Sequence, residues 1–222
     1  LAEQSGADIV LVGDSLAMVC LGYKSTLPVT LENMIYHTNA VSRGFSKAIE
    51  EQSLLVCDMP FLTYQCGEDK AVEYAGKIIK NTYAKAVKVE GADPEVQDVI
   101  SRLIRMGIPV MGHLGLTPQS YLNQQGNNSE SHEKIKRDAL SLENLGCFSI
   151  VLEHIPELLA KEIQVELEIP TIGIGAGNFC DGQVRVMADL LGLNDKQPPF
   201  CRPIINGKKY FGEKLKEWVA SE

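Results

Sequence analysis

No two of the six cysteines in this chain have C-x-x-C spacing, so zinc-ribbon and thioredoxin-type readings have little to rest on. Basic residues do not outnumber acidic ones. The 21 Lys and Arg against 29 Asp and Glu give a net charge of −8, which argues against a nucleic acid or an anionic membrane as partner. No apolar stretch is long enough to span a bilayer, and no secretory signal stands out. No dominant glycine-rich phosphate turn follows the first apolar run at Gly13. Cys57 and Cys147 lie in or beside apolar runs and read as small core residues, which fits a reducing compartment.

What is present is a recurring pattern. Asp8-Ile-Val-Leu-Val-Gly13 ends at Asp14, Ser53-Leu-Leu-Val-Cys57 at Asp58, Ala86-Val-Lys-Val89 at Glu90 and Phe148-Ser-Ile-Val-Leu152 at Glu153. Buried strands of parallel sheets read as apolar runs, and the carboxyl edge of such sheets carries the chemistry. Strands are expected at 8–12, 53–57, 86–89, 108–112, 148–152, 170–174 and 183–187. Helical periodicity fills the gaps: Ala71, Ala75, Ile78 and Ile79 share a face, as do Val96, Val99, Ile100, Leu103 and Ile104 after Asp93-Pro94. Ile135, Ala139, Leu142 and Leu145 repeat the pattern before Gly146, and Leu158, Leu159, Ile163 and Leu167 before Ile169-Pro170.

This alternation predicts a parallel sheet covered by helices. Seven strands are one short of the eight of a (β/α)8 TIM barrel. Leu1–Gly6 reads as the last turn of a helix closed by glycine, so a first strand and most of a helix are expected upstream in a longer parent protein. An open doubly wound sheet is the alternative. The chain is expected to form one domain, 1–222, with a helical tail over about 194–222. Two long connections, 15–31 and 115–132, have the character of lids or of plain surface loops.

Asp14, Asp58 and Glu90 are hard oxygen donors at one edge, the set that suits Mg²⁺. Any one of them alone reads as a helix cap or a partner for a surface lysine. Lys88, two residues before Glu90, points to the same sheet face and is placed to bind a substrate carboxylate or to neutralise the acids. Glu153 ends an apolar strand where a general base would sit. His113 ends a strand on the same edge, where a structural role outweighs a ligand role. Gly173-Ile-Gly-Ala-Gly177 is a glycine turn that serves either tight packing or phosphate.

Taken in order, Val12-Gly-Asp-Ser-Leu16, Ser25-Thr-Leu-Pro-Val-Thr30, Asp58-Met-Pro-Phe61, Val87-Lys-Val-Glu-Gly91, Gly112-His-Leu-Gly-Leu-Thr-Pro-Gln-Ser120, Val151-Leu-Glu153 and Ile172-Gly-Ile-Gly-Ala-Gly177 resemble the ketopantoate hydroxymethyltransferase family over nearly the whole chain. The resemblance implies a (β/α)8 barrel of the phosphoenolpyruvate mutase type. It implies transfer of a hydroxymethyl group from 5,10-methylenetetrahydrofolate, as co-substrate, to 3-methyl-2-oxobutanoate. The product would be 2-dehydropantoate, formed through a Mg²⁺-stabilised enolate. By the same resemblance Asp14, Asp58 and Glu90 match the metal site. Asp14, Ser15, Asp58 and Lys88 match the keto-acid site, and Glu153 the proton acceptor. Ser15 comes from the resemblance alone. The sequence departs from the family's pattern at Ala17, Tyr23-Lys24 and Gly91-Ala92, and in a shortened loop, Tyr121–Ser129. A homo-oligomer is implied, in the cytoplasm, or in the mitochondrial matrix if a transit peptide stood upstream. The other readings are a Mg²⁺-dependent carbon–carbon lyase of the phosphoenolpyruvate mutase group and a non-catalytic homologue.

Overall fold

The computed structural model describes residues 1–45, 53–120 and 123–222. Tyr121 and Leu122, the start of the shortened loop, lie outside the described residues. The chain divides into two compact units, Leu1–Gly182 and Gln183–Glu222.

The first unit alternates strand and helix, as the periodicity predicts. Its strands are β1 (Ile9–Val12), β2 (Leu54–Asp58), β3 (Ala86–Glu90), β4 (Val110–Gly115), β5 (Ser149–Glu153) and β6 (Thr171–Ile174). Its helices are α1 (Leu16–Val19), α2 (Leu31–Ser42), α3 (Glu68–Asn81), α4 (Pro94–Arg105), α5 (Ser129–Leu145) and α6 (Glu157–Glu166). A two-residue β7, Gly182–Gln183, completes a seven-stranded sheet whose order follows the chain from β1 to β7. The pairs from β1 to β6 are all parallel. Strictly sequential order is the barrel order. A doubly wound sheet reverses direction once, and no reversal occurs among the described strands.

Side-chain parity sorts the sheet into two faces. Leu55, Cys57, Val87, Val89, Val110, Leu114, Ile150 and Leu152 join the helix-side core. There they meet Ala71, Ala75 and Ile78 of α3, Val99, Ile100 and Leu103 of α4, Ile135, Ala139 and Leu142 of α5, and Leu159, Ala160 and Ile163 of α6. Each fully buried aliphatic side chain among them contributes on the order of 2 kcal/mol. The residues between belong to the other face: Asp58, Lys88, Glu90, His113 and Glu153. Cys57, the core thiol expected from its place in the strand, accepts a hydrogen bond from Thr38 Oγ1 at 3.2 Å. Burial pushes its pKa up to about 12, so it stays a thiol.

Local chemistry sets the helix ends. Thr30 caps α2 in a reciprocal pair with Asn33, and Asn128 caps α5 in the same way with Ser131. Asp93 stands at the N-cap of α4 ahead of Pro94 but makes no side-chain capping bond. Its carboxylate pairs with Lys134 at 3.3 Å instead.

Several expectations need correction. β4 spans Val110–Gly115 rather than 108–112, because Leu114 and Gly115 continue the ladder opposite Leu152 and Glu153. Leu158 is 71% exposed, because α6 turns Leu159, Ala160 and Ile163 inward. The expected strand 183–187 shrinks to Gly182–Gln183. Val186 O instead accepts from the Asp189 and Leu190 N–H groups and starts α7 (Met187–Leu190).

The second unit holds α7 and α8 (Gly207–Ser221). The connection returns onto α7, with the Ile204 N–H donating to Leu190 O at 2.8 Å and the Gly207 N–H to Leu191 O at 2.9 Å. The tail expected over about 194–222 falls inside this unit.

Candidate active site

The carboxyl ends of β1 to β5 bring a set of polar side chains into one buried cluster. Asp14 lies two residues past β1, Asp58 ends β2, Glu90 ends β3 and Glu153 ends β5. Cross-strand register places Asp58 opposite Lys88, Glu90 opposite His113 and Glu153 opposite Gly115. Asp14, Asp58, Lys88, Glu90 and His113 are each no more than 5% exposed.

Contacts tie the members together. The Asp14 N–H donates to Asp58 Oδ2 at 2.9 Å. Lys88 Nζ lies 3.3 Å from Asp58 Oδ1 and 3.7 Å from Glu90 Oε1. His113 bridges onward, with Nδ1 3.0 Å from Lys88 Nζ and 3.5 Å from Glu90 Oε1, and Nε2 3.2 Å from Glu153 Oε2. That last approach lacks hydrogen-bond alignment, which leaves His113 Nε2 without a hydrogen-bond partner. The Glu153 side chain is 23% exposed, the wettest of the group.

Burial of three acids around one lysine dominates the electrostatics. Desolvation, with Asp58 beside it, pushes the Asp14 pKa up to about 7. Desolvation also raises that of Asp58, against the pull of Lys88. Glu90 is held below the ordinary carboxylate range, because His113 and Lys88 outweigh its burial. Burial works against the Lys88 ammonium, but Asp58, Glu90 and Asp14 together raise its pKa above the usual lysine value. At His113, burial and Lys88 oppose charge, while Glu153 and Glu90 favour it and raise the pKa to about 9. The 3.0 Å Lys88 contact is attractive only with a lone pair on Nδ1. Two cations at that distance would repel by about 5 kcal/mol at an effective dielectric constant of ~20, so charging the ring, as Glu153 and Glu90 favour, requires Lys88 Nζ to draw away from Nδ1.

Of the residues the sequence singles out, Asp14, Asp58, Lys88 and Glu90 share this cluster, and Glu153 joins it through His113. Ser15 is half-buried at the N-cap of α1, and its side chain makes no capping bond. Two further members carry no signal in the acid pattern. Gln119 Nε2 donates to Asp14 Oδ2 at 2.9 Å, and the Gln119 N–H donates to Glu90 Oε2 at 3.1 Å. The Tyr64 hydroxyl donates to Gln119 Oε1 at 2.9 Å. The one sequence cue for Gln119 is position, since Thr117-Pro118-Gln119-Ser120 follows β4 directly at the edge where the acids stand, and Tyr64 comes from the loop after β2. The glycine turn after β6 answers to packing: a Cβ on Gly177, at φ +78°, would stand 2.2 Å from Glu157 Cγ.

The donor chemistry fits a hard divalent cation. Three carboxylates converge on one cluster, and Asp58 Oδ1 is buried with no hydrogen-bond partner and only the Lys88 ammonium, 3.3 Å away, beside it; three acids against that one ammonium leave negative charge for a divalent ion to share. Among the described residues, no three acid, histidine or cysteine side chains already stand at coordination spacing. Gln119 and Lys88 hold the acids instead.

Comparison with known proteins agrees with the resemblance in the sequence. A family model described as ketopantoate hydroxymethyltransferase matches residues 1–221. A 3-methyl-2-oxobutanoate hydroxymethyltransferase of Prochlorococcus marinus subsp. pastoris is 93% identical, covering 100% of this chain and 88% of that protein. Among solved structures, a phosphoenolpyruvate phosphomutase from Streptomyces platensis subsp. rosaceus has a TM-score of 0.60 at 10% identity, covering 99% of this chain and 76% of that one. A 2,3-dimethylmalate lyase described as a PEP mutase/isocitrate lyase superfamily member has a TM-score of 0.53 at 13% identity, covering 99% and 75%. At such identities the likeness is one of fold alone, and it agrees with the sequential parallel sheet. The match to the family model and the near-identical relative are decisive: the chain belongs to the ketopantoate hydroxymethyltransferase family.

Proposed function

We propose that the chain transfers a hydroxymethyl group from 5,10-methylenetetrahydrofolate to 3-methyl-2-oxobutanoate, giving 2-dehydropantoate for pantothenate synthesis. The observation that carries this reading is the buried Asp14–Asp58–Lys88–Glu90 cluster with Glu153 beside it, in a chain of this family. Asp14, Asp58 and Glu90 would hold Mg²⁺. When bound, the ion would supply Lewis-acid polarisation of the keto group and so acidify the neighbouring C–H.

Glu153 takes the proton from C3 of the keto acid. It is the one acid of the group with substantial solvent exposure, so it can reach a bound substrate and later lose its proton to water. His113, with Nε2 3.2 Å from Glu153 Oε2, offsets the charge of the Glu153 carboxylate when the ring is protonated. The Lys88 ammonium holds the substrate's negative charge while C3 attacks the folate methylene carbon. That carbon brings no oxygen, so one water supplies the new hydroxyl as both of the carbon's C–N bonds break and tetrahydrofolate leaves. Asp14 and Ser15 would flank the keto acid, and Gly13 leaves room between Ser15 and Asp58: a Cβ there would lie 3.2 Å from Ser15 Oγ and 3.4 Å from Asp58 Oδ2.

The assignment includes a homo-oligomer in a bacterial cytoplasm. The relative that matches so closely is bacterial, so the mitochondrial matrix has no support. Among the described residues no helix is long and apolar enough to cross a membrane. A turnover assay tests the reading: 2-dehydropantoate should form only when keto acid, 5,10-methylenetetrahydrofolate and Mg²⁺ are all present. Cleavage of a 2-oxo or 2-hydroxy acid without folate would favour a lyase instead.

A further inference from the structure

We propose that Gln119 is the positioning residue of the candidate metal site. In this role it sets the spacing of Asp14 and Glu90 and ties both to a turn that is hydrogen-bonded to the Glu153 backbone. The inference rests on the metal reading above and adds a residue to it.

The amide of Gln119 has four hydrogen-bonding valences, and all four are used. Nε2 donates to Asp14 Oδ2 at 2.9 Å and to Met59 O at 3.0 Å. Oε1 accepts from the Tyr64 hydroxyl at 2.9 Å and from Gln65 Nε2 at 3.3 Å. The amide therefore has one orientation. Flipped, it would set Oε1 against two acceptors, Asp14 Oδ2 and Met59 O. The backbone of the same residue holds Glu90 Oε2 at 3.1 Å. One oxygen of each of the three acids is thus fixed by an N–H donor: Asp14 and Glu90 by Gln119, and Asp58 by the Asp14 backbone at 2.9 Å. Side chains that fix a ligand's second atom decide how well the first is aimed.

The turn itself is braced against the proton acceptor. The Leu116 N–H donates to Glu153 O at 2.8 Å, and the Ser120 N–H closes the turn on Thr117 O at 2.8 Å. One five-residue turn, 116–120, therefore links the backbone of Glu153 to the carboxylates of Asp14 and Glu90. A tight turn has few soft torsions through which these groups could drift apart.

The test is Mn²⁺ binding to the full chain, followed by electron paramagnetic resonance without keto acid or folate, with thermal unfolding measured alongside. Gln119→Ala should weaken Mn²⁺ at least tenfold while the folded fraction at the titration temperature is unchanged. Tyr64→Phe removes the donor that orients Oε1, and should weaken Mn²⁺ by a smaller factor. The double variant should be little weaker than Gln119→Ala, because Tyr64 acts mainly through Gln119, its hydroxyl lying 2.9 Å from Gln119 Oε1 against 3.3 Å from Glu90 O. Folded Gln119→Ala with wild-type Mn²⁺ affinity overturns the proposal. So do single effects that multiply in the double variant. If Gln119→Ala does not fold, Tyr64→Phe decides, and unchanged affinity there overturns it. Wild-type protein that binds no Mn²⁺ overturns the metal reading and this inference with it, whereas the other outcomes overturn this one alone.

Discussion

Replacing Lys88 with methionine removes the ammonium that lies against both Asp58 and Glu90 while keeping the length of the side chain. At an effective dielectric constant of ~20, charges 3.3 and 3.7 Å apart attract by about 5 and about 4 kcal/mol. Desolvation consumes most of that gain in the native protein. Removing one partner forfeits it and leaves the acids uncompensated, which costs about 3–5 kcal/mol for a buried pair. In a chain of this size each kcal/mol moves Tm by about 2–4 °C, so Lys88→Met should lower Tm by about 6–20 °C at pH 7 without metal. The sign with pH follows from the shifts. The folded Lys88 pKa lies above its unfolded value, so its contribution is complete below about 10.5 and fades only as pH rises through the folded value. The loss in the variant should instead shrink at lower pH, where the stranded Asp14 and Asp58 can take up protons. Mg²⁺ should restore part of the lost Tm by standing in for the ammonium. Differential scanning calorimetry between pH 5 and pH 8 is the assay. A drop under about 3 °C, independent of pH and Mg²⁺, would refute the argument.

Asp14 titrates near pH 7 in the metal-free protein, because burial and Asp58 lift its pKa from 3.8. A metal ion needs the carboxylate, so Mg²⁺ affinity should fall about tenfold per pH unit below pH 7 and level off above it; calorimetric titration at several pH values checks this. For the metal-free protein the raised pKa has the opposite sense. This group stabilises the fold below pH 4, and its contribution is lost as pH rises through about 7, so added Mg²⁺ should raise Tm most above pH 7. Gly115→Ala places a Cβ 2.1 Å from Glu153 O, at φ +96°. It should cost at least about 2 kcal/mol by urea unfolding and lower turnover more than Mg²⁺ affinity, since the clash falls on Glu153 rather than on the acids of β1 to β3.

The acid-at-the-end-of-a-strand pattern made the edge legible because its physics is local. An apolar run that stops on a carboxylate must leave that group where the sheet leaves the core, and parity fixes the face. That logic reaches Asp14, Asp58, Glu90 and Glu153, and it sets Lys88 on the face of Glu90. It does not reach Gln119, whose placement depends on how the turn after β4 folds back toward Glu90 and Asp14, or Tyr64, which the loop after β2 brings to the same amide. In the sequence, His113 carries only the general expectation of a structural role. Only the register Glu90–His113 and the 3.2 Å approach to Glu153 show it bridging two acids. The short β7 escaped for a related reason: Val184-Arg185-Val186 alternates like a strand, but the helical turn that follows takes up the carbonyl of Val186.

Proton exchange at one carbon tests the account most directly. In D2O with Mg²⁺ and no folate, the C3 proton of 3-methyl-2-oxobutanoate, followed by proton NMR, should exchange under catalysis by the wild-type chain. Glu153→Gln should slow that exchange at least ~100-fold while Mg²⁺ and keto acid still bind. Equal exchange in the wild type and in folded Glu153→Gln would contradict the assignment of Glu153 as the base beside a metal-held keto acid.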